Sequence, residues 1–147
     1  MKLKIIKLFL RLALSLSFLS AVADRFGLWP ENISVWQNWS NFLDYTQLIN
    51  PWLPHHVIPL IGVIVTVLEI AFAMFLLIGF KTEFFAKLSG FLLLIFALSM
   101  AFSTGIKGVL DFSVLSASAG AFALSQFKEK YIELDLLFSK ASAELKT

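Results

Sequence analysis

The stretch VIPLIGVIVTVLEIAFAMFLLIGF, Val57–Phe80, decides the fold class because it is almost wholly apolar and carries one charged side chain, Glu69. A helix needs roughly 20 mostly apolar residues to cross a bilayer, and this stretch meets that requirement. The whole chain has the same character, since 59% of its 147 residues are apolar and only 15% are charged, against about 25% charged residues in a soluble domain. We therefore predict an all-α integral membrane protein rather than a soluble or a disordered chain.

Three more stretches are apolar enough to cross the membrane, and with the first they predict an up-down bundle of four transmembrane helices within residues 1–126. They are Ile5–Leu28, Phe84–Thr104 and Val109–Ser125. The last has the weakest pattern because it contains Asp111 and several serines. Its small residues recur at helical spacing, as at Ser116 and Gly120, which lets membrane helices approach closely. A plain lipid-facing helix is the alternative interpretation.

Lysine residues concentrate on one side of this predicted bundle and set its orientation. With a cytoplasmic N-terminus, the outer side holds only Arg25 and Lys107. Because cytoplasmic loops are enriched in Lys and Arg, we predict a multi-pass protein of the cell inner membrane with both termini in the cytoplasm. The lysines on the predicted cytoplasmic side are Lys2, Lys4, Lys7, Lys81, Lys87, Lys128, Lys130, Lys140 and Lys146.

The N-terminal stretch also has the pattern of a cleavable signal peptide. Lysines precede an apolar run that ends in Ala21-Val22-Ala23, which imitates a cleavage site. Arg11 interrupts the apolar run and argues against this alternative, which would leave three membrane helices.

Two amphipathic segments lie outside the predicted membrane helices. In the outer loop, Trp29–His56, apolar residues from Ser34 to Ile49 mostly follow helical spacing, which predicts an extra interfacial helix between the first two membrane helices. That helix is either a cap over the bundle or a lid over a ligand entrance. Residues 127–147 predict a cytoplasmic amphipathic tail docked under the bundle, with a short strand at Ile132–Leu136 as the alternative. The apolar stripe of the tail is Phe127, Tyr131, Leu134, Phe138, Ala141 and Leu145.

Glu69 needs a partner because it lies near the middle of the second predicted membrane helix. A charged side chain at that depth costs at least about 2.5 kcal/mol, which marks a candidate functional site. Side chains lean toward the N-terminus of their own helix, so Glu69 tilts outward and Arg25 tilts inward. We predict a Glu69–Arg25 pair facing the bundle interior. A protonated Glu69 that donates to a serine or a backbone carbonyl is the alternative.

Other ionisable residues complete the predicted polar sites. Asp24 closes the outer end of the first helix, and Arg11 lies one turn inside its cytoplasmic end, from where it can snorkel to the surface. We assign both to a ligand-binding polar core with Glu69 and Arg25. Lys107 and Asp111 are spaced i, i+4 at an outer turn and predict a secondary pair there.

The sequence predicts no metal site and no cofactor ligands. It has no cysteine, and its two histidines, His55 and His56, are adjacent. Adjacent side chains point about 100° apart on a helix and cannot clamp one metal ion together. The net charge of +2 is too small and too scattered to indicate a nucleic acid partner.

Two segments carry a family resemblance. After Arg11 the first helix continues into Phe18–Arg25, FLSAVADR, and after Glu69 the second ends in Leu76–Thr82, LLIGFKT. This pattern resembles the DoxX family of small, bacterial, four-helix membrane proteins over about the first 125 residues. The resemblance implies that Arg11, Arg25 and Glu69 match the charged positions of the family. Arg25 departs from it by standing where many members have lysine.

The resemblance also implies a function. Some similar proteins are membrane subunits of thiosulfate:quinone oxidoreductase, which implies a quinone ligand and a redox partner subunit. A quinone headgroup would accept a hydrogen bond from Arg25 or exchange protons with Glu69. The alternatives are a non-catalytic assembly or lipid-binding protein, alone or as a homo-oligomer, and a small proton-coupled transporter. Four helices and one ionisable residue at mid-depth argue against the transporter.

Overall fold

The protein is all-helical over residues 2–136, the part of the chain that the computed structural model describes. The all-α prediction is thus confirmed, and the described residues contain no strand, so Ile132–Leu136 does not form one. A 3-10 turn, His55–Val57, precedes α3. Of the predicted tail stripe, Phe138, Ala141 and Leu145 lie outside the described residues. The helices are α1 Lys2–Arg25, α2 Trp39–Ile49, α3 Ile58–Ile78, α4 Thr82–Ser103, α5 Ile106–Asp111 and α6 Val114–Leu124.

Three of these helices, α1, α3 and α4, are long and apolar enough to cross a membrane. The predicted fourth stretch, Val109–Ser125, is not one helix, because the chain breaks between α5 and α6. Ser113 adopts a left-handed conformation at the break, with φ of 56°, and a serine side chain competes with helical hydrogen bonds more readily than an aliphatic one. The remaining apolar helix, α6, has 11 residues, about 16 Å at helical rise.

Four helices close a ring in which α1 and α4 each pack against both α3 and α6. Neighbours in the ring run antiparallel. Arg11 lies in the first half of α1 and donates to Leu76 near the end of α3. Arg25, the last residue of α1, donates to Thr66 in the first half of α3. We call the end of the bundle that holds residues 26–57 the loop end and the end that holds residues 125–136 the tail end.

A tight turn at the tail end joins α3 to α4. Gly79 ends α3 in the left-handed conformation, with φ of 72°, which costs glycine little. The turn is also crowded, since a Cβ at Gly79 would lie 2.6 Å from Arg11 Nη2 and 2.7 Å from Glu133 Cα. Glycine is therefore required here for space as well as for backbone conformation.

The amphipathic helix of the loop forms, but it is shorter than predicted. Asn38 caps α2 by accepting a 2.9 Å hydrogen bond from Asn41 N, so the helix starts at Trp39 and not at Ser34. Phe42, Thr46 and Ile49 form its buried face. Because α2 packs against α1, α3 and α4, it covers the loop end of the bundle.

Candidate functional site

Arg25 and Glu69 meet inside the bundle near the loop end. Arg25 Nη1 forms an ion pair with Glu69 Oε2 and donates a 2.8 Å hydrogen bond to Thr66 Oγ1. Thr66 and Glu69 are three residues apart on α3 and thus share one helix face. Both charged residues are only 2% exposed. We call Arg25, Glu69 and Thr66 the Arg25 site.

Two aromatic rings cover the guanidinium of the Arg25 site. Its Cζ lies 4.0 Å from the centroid of the Phe42 ring and 5.3 Å from that of Trp36. Both distances are within the range of cation–π attraction, which is strongest at such a desolvated position. Arg25 Nε and Trp36 Nε1 are buried, and neither has a hydrogen-bond partner within residues 2–136. The site therefore has two buried N–H donors that no residue of the described chain pairs.

Asp24 lies next to Arg25 but serves the loop rather than the ion pair. Its carboxylate accepts hydrogen bonds from Ser34 Oγ, from Val35 N at 2.9 Å and from Trp36 N at 3.2 Å. These bonds tie the segment before α2 to the end of α1. Asp24 thereby holds Trp36 over the guanidinium.

A cavity of about 520 Å³ adjoins the Arg25 site. Its wall is mainly apolar, and its polar lining beyond the ion pair includes Tyr45, Asn50 and Ser99. Burial raises the pKa of Tyr45, which keeps the phenol neutral. Ser99 Oγ donates a 3.0 Å hydrogen bond to Asn50 Oδ1 and joins α4 to the loop. Apolar residues of the wall include Leu14, Phe18, Ala21, Phe42, Ile49, Ile61, Val65, Leu92, Phe96 and Met100.

Arg11 belongs to a different site, at the tail end. It donates to the carbonyls of Leu76 and Leu77, in the last turn of α3, at 2.9 and 3.0 Å. It also donates to the carbonyls of Tyr131 and Ile132 at 3.1 and 2.9 Å. At 1% exposure Arg11 does not snorkel to the surface as expected, because these four carbonyls use its donors inside the protein.

Glu133 completes the tail-end site and was missed by sequence reasoning. Its Oε1 lies 2.8 Å from Lys7 Nζ and 3.7 Å from Arg11 Nη1. Lys7, assigned to the cytoplasmic surface, is buried and also donates to the carbonyl of Glu129 at 2.8 Å. The spacing of Lys7 and Arg11, four residues apart on one helix face, is the sequence signal that could have indicated an acidic partner. We call Lys7, Arg11 and Glu133 the tail cluster.

The remaining predicted residues lie apart from both sites. Lys107 and Asp111 form an i, i+4 ion pair on α5, and both side chains are largely exposed. His55 and His56 are exposed at the start of the α3 region. Within residues 2–136 no group of three or more His, Asp or Glu side chains is placed to hold a metal ion.

No protein-family model, curated protein or solved structure matches this chain. The resemblance to the DoxX family therefore rests on the motifs at Phe18–Arg25 and Leu76–Thr82.

Proposed function

We propose that this chain is a DoxX-like membrane subunit that binds a quinone beside the Arg25 site and works with a redox partner. The observation that carries this proposal is the cavity of about 520 Å³, whose mainly apolar wall contains a buried Arg–Glu ion pair. Ligand cavities commonly combine an apolar lining with a few polar groups that orient the ligand.

The chemistry of the Arg25 site suits a neutral headgroup with acceptor oxygens. Arg25 and Glu69 neutralise each other, so an anionic headgroup would bring an uncompensated charge into a buried site. A quinone is neutral, and its two carbonyl oxygens can accept from Arg25 Nε and Trp36 Nε1. Three phenylalanines of the cavity wall supply aromatic contacts for the quinone ring, namely Phe18, Phe42 and Phe96.

The redox role divides between this chain and its partner. Reduction of a quinone to a quinol takes two electrons and two protons. The sequence has no cysteine and only two adjacent histidines, so in this proposal the electrons come from a partner subunit. In this proposal the Glu69 carboxylate takes up protons from water and passes them one at a time to the two quinone oxygens, and Arg25 orients the oxygen that is protonated.

In the same proposal α6 is the fourth membrane helix of an up-down bundle. Its place in the ring of helices supports this assignment. The lysine distribution supports an N-in, C-in orientation in the inner membrane, which puts the Arg25 site in the outer half of the bilayer.

A binding titration tests the proposal. Decylubiquinone is added to the purified full chain in nanodiscs, and tryptophan fluorescence is followed, because Trp36 lines the cavity. We expect saturable quenching that W36F reduces, and R25Q should weaken binding by about tenfold, since a hydrogen bond to a charged group contributes about 1.5–3 kcal/mol. K107Q removes an exposed charge outside the cavity wall and is the matched control.

Two results would contradict quinone binding. One is quenching that rises linearly without saturation in the wild type. The other is mass spectrometry of the protein released from membranes that finds a phospholipid bound in the wild type, absent in R25Q and not displaced by decylubiquinone. The second result would favour the lipid-binding alternative.

A further inference from the structure

We propose that the cavity opens sideways to the bilayer between α1 and α6, and that the hydrocarbon tail of the bound molecule lies in this opening. The side opening is bordered by Ser17 and Ala21 of α1, by Val114 and Ala117 of α6, and by Phe112. This inference rests on the proposed function, since it assigns a tail site to the ligand whose headgroup sits beside Arg25.

The two helices touch toward the tail end and separate toward the loop end. Leu14 of α1 packs in one buried cluster with Ala121 and Leu124 of α6. One turn further along α1, Ser17 lines the cavity, and one turn earlier on α6 so does Ala117. The cavity therefore extends between the helices at the point where their contact ends.

The separation follows from the way α6 packs against α4. Ser118 Oγ donates a 2.8 Å hydrogen bond to the carbonyl of Gly90, and the absence of a side chain at Gly90 admits the Phe122 ring, which would lie 2.9 Å from a Cβ there. Nearer the loop end, Val114 packs against the cluster that contains Ala97 and Met100. These contacts hold α6 on α4 along its length.

The break between α5 and α6 adds to the gap. A continuous fourth helix would carry its axis on from Val114 toward the loop end alongside α1. Instead the chain turns at Ser113, and Phe112 lines the cavity while remaining 66% exposed. The cavity thus reaches from the buried Arg25 site to a surface that faces hydrocarbon when α1 and α4 span the membrane.

The dimensions and chemistry of the side opening select a tailed ligand. Ser17 and Arg25 are separated by about 12 Å along α1 at helical rise, so a molecule that touches both needs a headgroup and an extended tail. The bordering side chains are small or apolar, and none is charged. A small water-soluble metabolite would find no polar partner at these side chains, whereas a hydrocarbon chain can fill the opening and make dispersion contacts with them.

Ligands with and without a tail test this inference. Binding of decylubiquinone and of its tailless dimethoxy-methyl-benzoquinone ring is measured by tryptophan quenching in nanodiscs. A117F places a ring in the side opening, and A119F places the same ring on an exposed position of α6 outside the cavity wall. We expect A117F to weaken decylubiquinone binding by about tenfold, since placing a ring in space that the ligand tail fills has a cost of that order. The affinity for the tailless ring should stay within about twofold of wild type.

A second pair keeps the test decisive if A117F disturbs the packing of α6. S17F narrows the opening from α1, and L16F adds the same ring at the adjacent, exposed residue. Equal losses for both ligands, or no loss for either in A117F and S17F, would overturn the side opening. If the wild type binds neither ligand, it is the proposed function that fails.

Discussion

The two buried arginines of α1 have opposite hydrogen-bonding states. At the tail end, Arg11 donates to four backbone carbonyls through Nε and both Nη atoms. Near the loop end, Arg25 pairs with Glu69 and Thr66 through Nη1, while its Nε has no partner within the described residues. A saturated guanidinium is a structural connector, whereas the guanidinium of Arg25 keeps one donor unpaired and borders a cavity.

Arg11 and Arg25 are both buried arginines, so burial alone does not distinguish a structural residue from a ligand-binding one. Arg11 joins α1, the end of α3 and the segment at Tyr131–Ile132, and Glu133 adds a charge partner. Within the described residues, the hydrogen bond and ion pair of Arg25 join α1 to α3, and two aromatic rings and the cavity adjoin its side chain. Variants that change one region are therefore best compared with variants of the other region.

The largest expected effect is the loss of stability in R11Q. Glutamine cannot donate to four carbonyls, and each buried acceptor that is left without a donor costs about 1–3 kcal/mol because it has also lost its water. We therefore expect R11Q to lower the free energy of unfolding by about 3–5 kcal/mol. R25Q should lose about 1 kcal/mol, because the Glu69 carboxylate can become protonated when its partner is removed. Unfolding by SDS in mixed micelles measures both. Equal losses would contradict the distinction between the two arginines.

Glycines at the two ends give the next largest contrast. A Cβ at Gly79 would meet Arg11 and the backbone of Glu133 in a left-handed turn, so G79A should cost about 3 kcal/mol from backbone strain and overpacking together. A Cβ at Gly62 would lie 2.6 Å from Leu43 Cδ2, the far end of a flexible side chain, and 3.3 Å from Phe42 Cε1. Alanine gains about 1 kcal/mol in helix propensity, which offsets the small shift that these side chains must make. G62A should therefore leave the SDS midpoint nearly unchanged. A larger loss in G62A than in G79A would show that the tail end is the more adaptable region.

The third prediction separates binding from stability at the two glutamates. E69Q leaves Arg25 as an unpaired cation beside the cavity, so decylubiquinone binding should weaken by about tenfold and decanoate should begin to compete. E133Q removes the same charge from the tail cluster, where Lys7 and Arg11 keep their carbonyl partners. We expect E133Q to lower stability by about 1–2 kcal/mol and to leave binding within about twofold of wild type. Weakened quinone binding in E133Q would link the two sites.

The two arginines also differ in how far their contacts can be predicted from the sequence. The proximity of Arg25 and Glu69 followed from helical rise and side-chain direction, because both residues lie on long, regular helices. The tail cluster could not be predicted in this way, because the docked tail was predicted from its apolar stripe, and Glu133, which contacts Lys7, lies outside that stripe. Lysine near the start of a membrane helix is ordinarily a surface residue, and that rule gives no sign that Lys7 is buried.

The predicted bounds of the fourth apolar helix were wrong for a related reason. Hydropathy measures how apolar a stretch is, and Val109–Ser125 is apolar on average, but the backbone turns at Ser113. Whether a serine continues or ends a helix depends on its packing partners, here the contacts of α6 with α4, which no local pattern encodes. The break matters for function because the proposed side opening depends on it.

The smallest expected effect concerns Asp24, which acts on the Arg25 site only through Trp36. D24N weakens the hydrogen bonds to Ser34, Val35 and Trp36, because an amide oxygen is a poorer acceptor than a carboxylate. We expect decylubiquinone binding to weaken by about threefold, in line with the loss of less than one hydrogen bond, and the tryptophan emission of D24N to shift to the red as Trp36 leaves its position over the guanidinium. S34A keeps both backbone hydrogen bonds to Asp24 and should show neither change. An emission shift in D24N without weaker binding would mean that Trp36 covers the cavity without contacting the ligand, and Arg25 Nε would then be the donor that carries recognition.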